Sequence, residues 1–280
     1  MNKKRRAAAT IGFVPLYAFT LVFVLCPMLY MVLISFFEQD EWSFRAVFTL
    51  DNYINIFSGT YLTTMLNSLK LAVISTLFII LIGYSFAMCV AAMPRGIRNF
   101  FVTLQMIPYW VNSLLRLYGW IIVFRSGGIA DSLAMALGLT SEPLKLLYSY
   151  PLVVIGMVYV LVPFMFTSVF QVAEQLDPSM YESARDLGAG RVRAFFTVIF
   201  PLTLPGLKTG IIHTFIPCMG LFFVADILGG NKIVLTGSLI YDLLNKAHDY
   251  PQAAAMAFVL TLMTGAVCAL MMRRPRYASR

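Results

Sequence analysis

The chain is 280 residues long; 60% of them are hydrophobic, 12% are charged, and the mean hydropathy is +0.80. A soluble domain carries roughly a quarter of its residues as charges to cover its surface, so a soluble fold is excluded. The net charge of +8 would suit nucleic acid, but the basic residues cluster beside apolar runs, which is the pattern of membrane orientation and argues against a nucleic-acid partner.

A hydrocarbon core about 30 Å thick takes roughly 20 helical residues, and six runs meet that length. Lys3, Lys4, Arg5 and Arg6 precede the uncharged run Ile11–Phe37. That run exceeds a signal-peptide core and is followed by no small-residue cleavage site, so an uncleaved first helix is predicted. The outer stretch Glu38–Leu69, with Trp42, is expected partly on the membrane surface. Leu71–Met93 is the second span, and the short Arg95/Arg98 loop leads to the third, Phe100–Phe124, interrupted only by Arg116. Arg125–Tyr150 carries a Gly pair and a short apolar helix, Ile129–Leu139. Pro151–Ala173 is the fourth span. A polar island, Asp177–Pro201, precedes the fifth, Leu202–Ala225, which contains Lys208 and His213. Asp226 and the turn Gly229-Gly230-Asn231-Lys232 follow, and Gln252–Met272 is the sixth. The expected class is an all-α integral membrane protein of six transmembrane helices. Its parts are an N-terminal portion (1–62), a transmembrane core (63–272) and a basic tail (273–280).

Mid-span Pro108, Pro163 and Pro217 are tolerable in lipid, where neighbours satisfy the freed carbonyls. They read either as kinks shaping a pathway or as ordinary bundle packing. Cys26, Cys89, Cys218 and Cys268 all lie in apolar runs without metal-ligand spacing, so neither a disulfide nor a metal site is expected.

One side of the membrane holds thirteen basic residues against four acids, and the other six against nine. The excess of Lys and Arg puts both termini and the polar island in the cytoplasm. In the island, Asp177-Pro178 is a helix start: the carboxylate accepts an orphan amide and Pro suits the first helical position. Gly188 suits the left-handed stop, and Pro201 is expected to end the following helix, Arg191–Ile199. Helices this short are marginal in water and need something to pack against.

The string Glu182-Ser183-Ala184-x-x-x-Gly188, then nine residues, then Val198-x-Phe200-Pro201, resembles the EAA loop of membrane subunits of ABC importers, E-A-A-x3-G-x9-I-x-L-P. Glu182, Ala184, Gly188 and Pro201 match, while Ser183, Val198 and Phe200 depart mildly. The resemblance implies a type I importer permease fold with a cytoplasmic coupling helix, in which Glu182 and Arg185 contact a separate ATPase and Gly188 forms the bend. Further blocks narrow it: Phe48–Tyr53, Pro108–Gly119, Val162–Phe164, Pro201–Gly206 and Met219–Gly230 are similar to the first membrane subunit of spermidine/putrescine importers. That similarity implies a polyamine cargo, a second homologous permease, an ATPase dimer, a periplasmic or lipoprotein binding protein, and a bacterial inner-membrane location. Close relatives carry other small polar solutes, which stays open as the alternative. No G-x-x-x-x-G-K-[ST] or catalytic constellation occurs, so the chain is read as non-catalytic and without a cofactor of its own, ATP and Mg belonging to the ATPase. A self-sufficient secondary transporter or channel is disfavoured by the small number of spans and the absence of a repeated half. An intramembrane enzyme is disfavoured for want of a nucleophile or acid/base pair.

Candidate pathway residues follow from the chemistry of an ammonium, which on losing water needs a carboxylate or an aromatic face. Asp226 with Phe222, Phe223 and Tyr241 offers both, and Tyr109 and Trp110 add aromatic faces. Arg116 lies at comparable depth to Asp226, so an intramembrane Arg116–Asp226 ion pair is the competing reading. Tyr118 and Trp120 suit packing or an interfacial belt, and His213 suits a satisfied core position.

Overall fold

The computed structural model describes residues 15, 17–40, 43–140, 142, 144–230 and 232–272. The basic N-terminal cluster, Trp42, Asn231 and the basic tail lie outside the described residues. The described residues form two compact units, one of those up to residue 63 together with 239–265, the other of those in 64–238 together with 266–272.

Among the described residues, five helices are long and apolar enough to cross a membrane: α1 (Tyr17–Ile34), α3 (Gly59–Ala91), α7 (Tyr150–Ala173), α9 (Arg191–Gly220) and α12 (Tyr250–Met272). The expected third span is not one helix. It is two, α4 (Arg95–Trp110) and α5 (Ser113–Phe124), broken at Val111 and Asn112, whose ψ angles are both 129°. Pro108 removes one backbone donor, and Asn112 starts a new helix by accepting from Leu114 N at 2.8 Å. Together the two halves supply the sixth crossing. The expected fifth span is interrupted as well. Helix α9 ends at Gly220, Leu221 is non-helical (φ −77°, ψ 63°), and α10 (Phe222–Gly229) follows.

A second correction concerns Pro201, which does not end a helix. Helix α9 runs through it, because a widened turn at Phe195–Ile199 precedes it and places Pro201 at the start of the following regular stretch. A proline there has no intrahelical donor to lose.

In the first unit, a hairpin of β1 (Phe37–Asp40) and β2 (Ser43–Phe48) follows α1, an element the helical reading did not anticipate. Arg45 makes two bonds to the Asp40 carboxylate, 3.0 and 3.2 Å. Short helix α2 (Asp51–Ile56) fixes the hairpin: buried Asn52 donates to the carbonyls of Ser35 and Phe37 at 3.0 and 2.9 Å. Gln252, at the head of α12, donates to Asn52 O at 3.0 Å. The hairpin is thus tied to both spans of its unit by satisfied buried amides.

In the second unit, α7 is the central strut and its buried residues recur on every turn. Lipid is as apolar as a leucine side chain, so close packing rather than the hydrophobic effect must hold the spans together. Gly206 provides it: a Cβ built there would lie 2.8 Å from Ser168 O and 3.2 Å from Val169 Cα, so α9 crosses α7 almost backbone to backbone. Polar side chains add ties. Tyr84 and Thr203 hydroxyls are 2.8 Å apart, and Ser68 Oγ accepts from Thr236 N at 2.7 Å. On the expected outer side, α6 (Ile129–Ala136) is anchored by buried Asp131, which accepts from Gly127 N at 2.9 Å and Leu144 N at 3.0 Å.

Candidate functional site

Two features of the second unit stand out chemically, one at each end of α9. The first is the polar elbow. Helix α8 (Pro178–Asp186) begins where Asp177 accepts from Ser179 N at 2.9 Å, and that bond, with the Ser179 hydroxyl, holds the Asp177 carboxyl below its usual range. Gly188 has φ +87°, a region in which a β-carbon clashes, so the stop expected there is present. No residue of α8 is buried. Leu187 is 89% exposed and Val192 71%, two large apolar side chains standing in the open beside a cluster of charges. Tyr181, Glu182, Arg185 and Asp186 line one shallow hollow on this helix. Ala184 lies between them in sequence, half-buried. Nearby, Arg98 at the start of α4 pairs with Glu174 at the end of α7, 3.3 Å apart, joining two residues assigned from sequence to the same membrane face.

The second feature is a cavity of about 580 Å³ whose lining brings together the three mid-span prolines, Pro108, Pro163 and Pro217. Pro163 lies within the unbroken α7, while Pro108 and Pro217 stand three and four residues ahead of the breaks at Val111-Asn112 and Leu221, which both open onto the cavity. Tyr109, Trp110, Phe164 and Phe223 supply aromatic walls, and Asn112, Ser113 and Arg116 supply polar ones. Tyr109 packs edge-on against Phe164, 5.3 Å between centroids, with its hydroxyl 3.4 Å from Thr167.

The structure does not join Arg116 to Asp226. Arg116 instead places its guanidinium over the Tyr159 ring, 5.3 Å from the centroid, while Asp226 accepts from Ser238 Oγ at 2.9 Å. The competing ion-pair reading is therefore not realised here, because each charge has another neighbour. Asp226 lies one helical turn beyond the cavity-lining Phe223. Phe222 shares that helix and packs close to Gly237. Tyr241 belongs to the other unit and is 48% exposed. His213 Nδ1 lies 3.4 Å from Ser168 Oγ, and Trp120 stacks on Phe124 and meets Tyr159 edge-on, so both have ordinary packing partners.

Tyr159 and Ser238 carried no signal in the sequence, since one aromatic or hydroxyl among many on an apolar helix is unremarked until its neighbours are known, and Phe164 stood only within the similar block Val162–Phe164. Asn112-Ser113 was legible in principle: a capping residue four positions after a proline marks a new helix start even inside an apolar run.

A broken-helix cavity among helices of membrane-crossing length and an exposed polar elbow at the other end of one long helix fit a membrane subunit of a transporter. The family model for binding-protein-dependent transport system inner membrane components matches residues 80–276, and the chain belongs to that family. It is a non-catalytic, multi-pass inner-membrane permease of the ABC importer class. It is 36% identical over 268 residues to the spermidine/putrescine transport system permease protein PotB of Salmonella typhimurium, covering 95% of this chain and 93% of that protein. The Escherichia coli protein of the same name is 35% identical over 268 residues, covering 95% and 98%. Among solved structures, a bacterial ABC transporter that imports the acidic polysaccharide alginate has a chain of the same fold, with TM-score 0.80, 16% identity, and coverage of 99% of this chain and 98% of that one. The bacterial alginate transporter bound to its pentasaccharide-loaded periplasmic protein gives TM-score 0.78 at 16% identity, covering 96% and 93%.

Proposed function

We propose that this chain is one of two homologous permease subunits of a polyamine importer, carrying spermidine or putrescine through the inner membrane. Its transport core would be residues 63–272, with both termini cytoplasmic. The observation that carries the reading is the 36% identity to a spermidine/putrescine permease across 95% of the chain, a span that includes cavity and elbow alike.

An ATPase dimer docks on the elbow. Glu182 and Arg185 make the polar contacts, Ala184 keeps the packed face small, and Gly188 sets the bend. Pro201 begins the regular part of α9, which is 30 residues long and so about 45 Å at the helical rise. A push on the elbow is thereby delivered to Pro217 and Leu221 at the cavity. A periplasmic or lipoprotein binding protein delivers the solute from the opposite side. Within the pathway of the second unit, Tyr109, Trp110, Phe222 and Phe223 offer ring faces to the ammonium groups and Asp226 offers a carboxylate, which are the two partners a dehydrated cation requires.

The test is ATP-dependent uptake of radiolabelled spermidine and putrescine by the complete complex in proteoliposomes, with its binding protein. Uptake above that of a neutral solute of equal size is expected, and Asp226→Asn should reduce it about tenfold, the scale of one charge-assisted contact. Polyamine uptake no greater than that of the neutral solute removes the cargo assignment.

A further inference from the structure

Two helices of the second unit contain a widened turn, α3 at Ile80–Tyr84 and α9 at Phe195–Ile199. Such a turn holds one residue more than a regular one and is a place where a helix yields. Here the two are joined. Tyr84 closes the first, and its ring meets Phe195 of the second nearly edge-on, 6.5 Å between centroids, and Phe200 just past it at 6.1 Å. Its hydroxyl reaches Thr203, which is fully buried. Thr203 Oγ1 lies 3.1 Å from both Ile199 O and Phe200 O, so its single proton goes to those carbonyls. The Tyr84 hydroxyl therefore donates, at 2.8 Å, and one chain of hydrogen bonds runs from the widened turn of α3 into that of α9.

The residue before Tyr84 shows what else holds this joint. A β-carbon on Gly83 would lie 2.8 Å from Met165 Cγ and 2.9 Å from Met165 Cβ, and one on Gly210 of α9 would meet Sδ of the same side chain. Buried Met165 of α7 thus fills a notch in α3 and another in α9. A thioether on an unbranched stem adapts to small displacements, so this contact lets the helices slide. The hydroxyl pair does not, because a hydrogen bond weakens steeply once its length and angle change.

We infer that Tyr84 is a positioning residue of the transport cycle: its hydroxyl locks α3 to the base of α9, so that a displacement of the elbow moves both spans. The inference rests on the elbow reading above and extends the stroke from one span to two. Without this bond, the slack in the two widened turns absorbs a push before it reaches α3. Ring packing alone would survive loss of the hydroxyl, and that difference separates a mechanical tie from a filler.

The experiment is hydrogen–deuterium exchange, read by mass spectrometry, on the complete complex in nanodiscs, nucleotide-free and trapped with ATP and vanadate. In wild type, trapping should change exchange in segments 80–91 and 195–203 alike, by about fivefold, the scale of one net hydrogen bond. In Tyr84→Phe, which keeps the ring and strands no donor, the 195–203 response should remain and the 80–91 response should vanish. Thr203→Val should act as Tyr84→Phe does, and Thr203→Ser, which keeps the hydroxyl, as wild type does; this pair serves if Tyr84→Phe does not assemble. A response of 80–91 that persists undiminished without the hydroxyl pair overturns the inference. So does a wild-type 80–91 segment that ignores trapping while 195–203 responds. A wild-type 195–203 segment that ignores trapping rejects the elbow reading itself, and the tie with it.

Discussion

Replacing Gly206 by valine should unseat α9 from α7 and, with it, the path from elbow to cavity. The first added carbon would sit 2.8 Å from Ser168 O, 3.0 Å from Val172 Cγ2 and 3.2 Å from Val169 Cα. Two of these three neighbours are backbone atoms, which cannot turn aside, so the helices must separate by about half an ångström before ordinary contact is restored. Overpacking of this kind costs about 1–3 kcal/mol. The branched side chain of valine puts the cost near the top of that range, and leaving glycine recovers only a few tenths through helix propensity. For a chain of this length the loss corresponds to a melting temperature lower by roughly 5–10 °C. The assay is thermal unfolding of the purified complex beside ATP-driven uptake, with Gly96→Val as control, because a Cβ on Gly96 meets nothing within 4 Å. If Gly206→Val melts and transports like wild type while remaining folded, the close crossing of α7 and α9 is not what transmits the stroke.

Leu187→Asp is expected to leave stability within about 0.5 kcal/mol, because the side chain is 89% exposed, yet to abolish co-purification of the ATPase. Gly188→Val forces a β-carbon into a left-handed backbone (φ +87°) at about 1–2 kcal/mol, and should lower ATPase-coupled uptake more than it lowers the melting temperature. Asp131→Ala removes the acceptor of the Gly127 and Leu144 amides, a loss of about 1–3 kcal/mol; limited proteolysis should cut the 125–150 segment before the spans melt. Burial raises the Asp249 carboxyl above its usual value of 3.8, partly opposed by the bond it accepts from Gln252 N. The folded form therefore holds a proton that the unfolded chain has released, so stability falls as pH rises from 3.8 through the raised value and is level above it. Asp249→Asn keeps the Oδ1 acceptor and should flatten that slope in a pH series of melting curves.

The class of this protein was legible before any coordinates, and for a plain reason. Lipid imposes length and apolarity on every span, and spacing such as Glu182 to Gly188 to Pro201 is a property of the chain alone. The helix start at Asp177 and the stop at Gly188 were equally local, being set by one side-chain oxygen and one missing β-carbon. Local rules failed at Pro201, where the widened turn Phe195–Ile199 just before it absorbs the proline, and in the third span, where a run of membrane-crossing length is in fact two helices divided at Asn112. They failed also at Glu38–Phe48, where the hairpin is fixed by Asn52 and by Gln252, 200 residues farther along the chain.

What tertiary structure alone decided is the convergence. Pro108, Pro163 and Pro217 lie on three helices more than fifty residues apart in sequence and open onto one cavity, and Arg116 faces Tyr159 rather than Asp226. A sequence records how deep each charge lies along its helix, because rise per residue is fixed. It does not record rotation about the helix axis relative to neighbours, which packing at residues such as Gly206 sets, and that rotation determines which charge meets which.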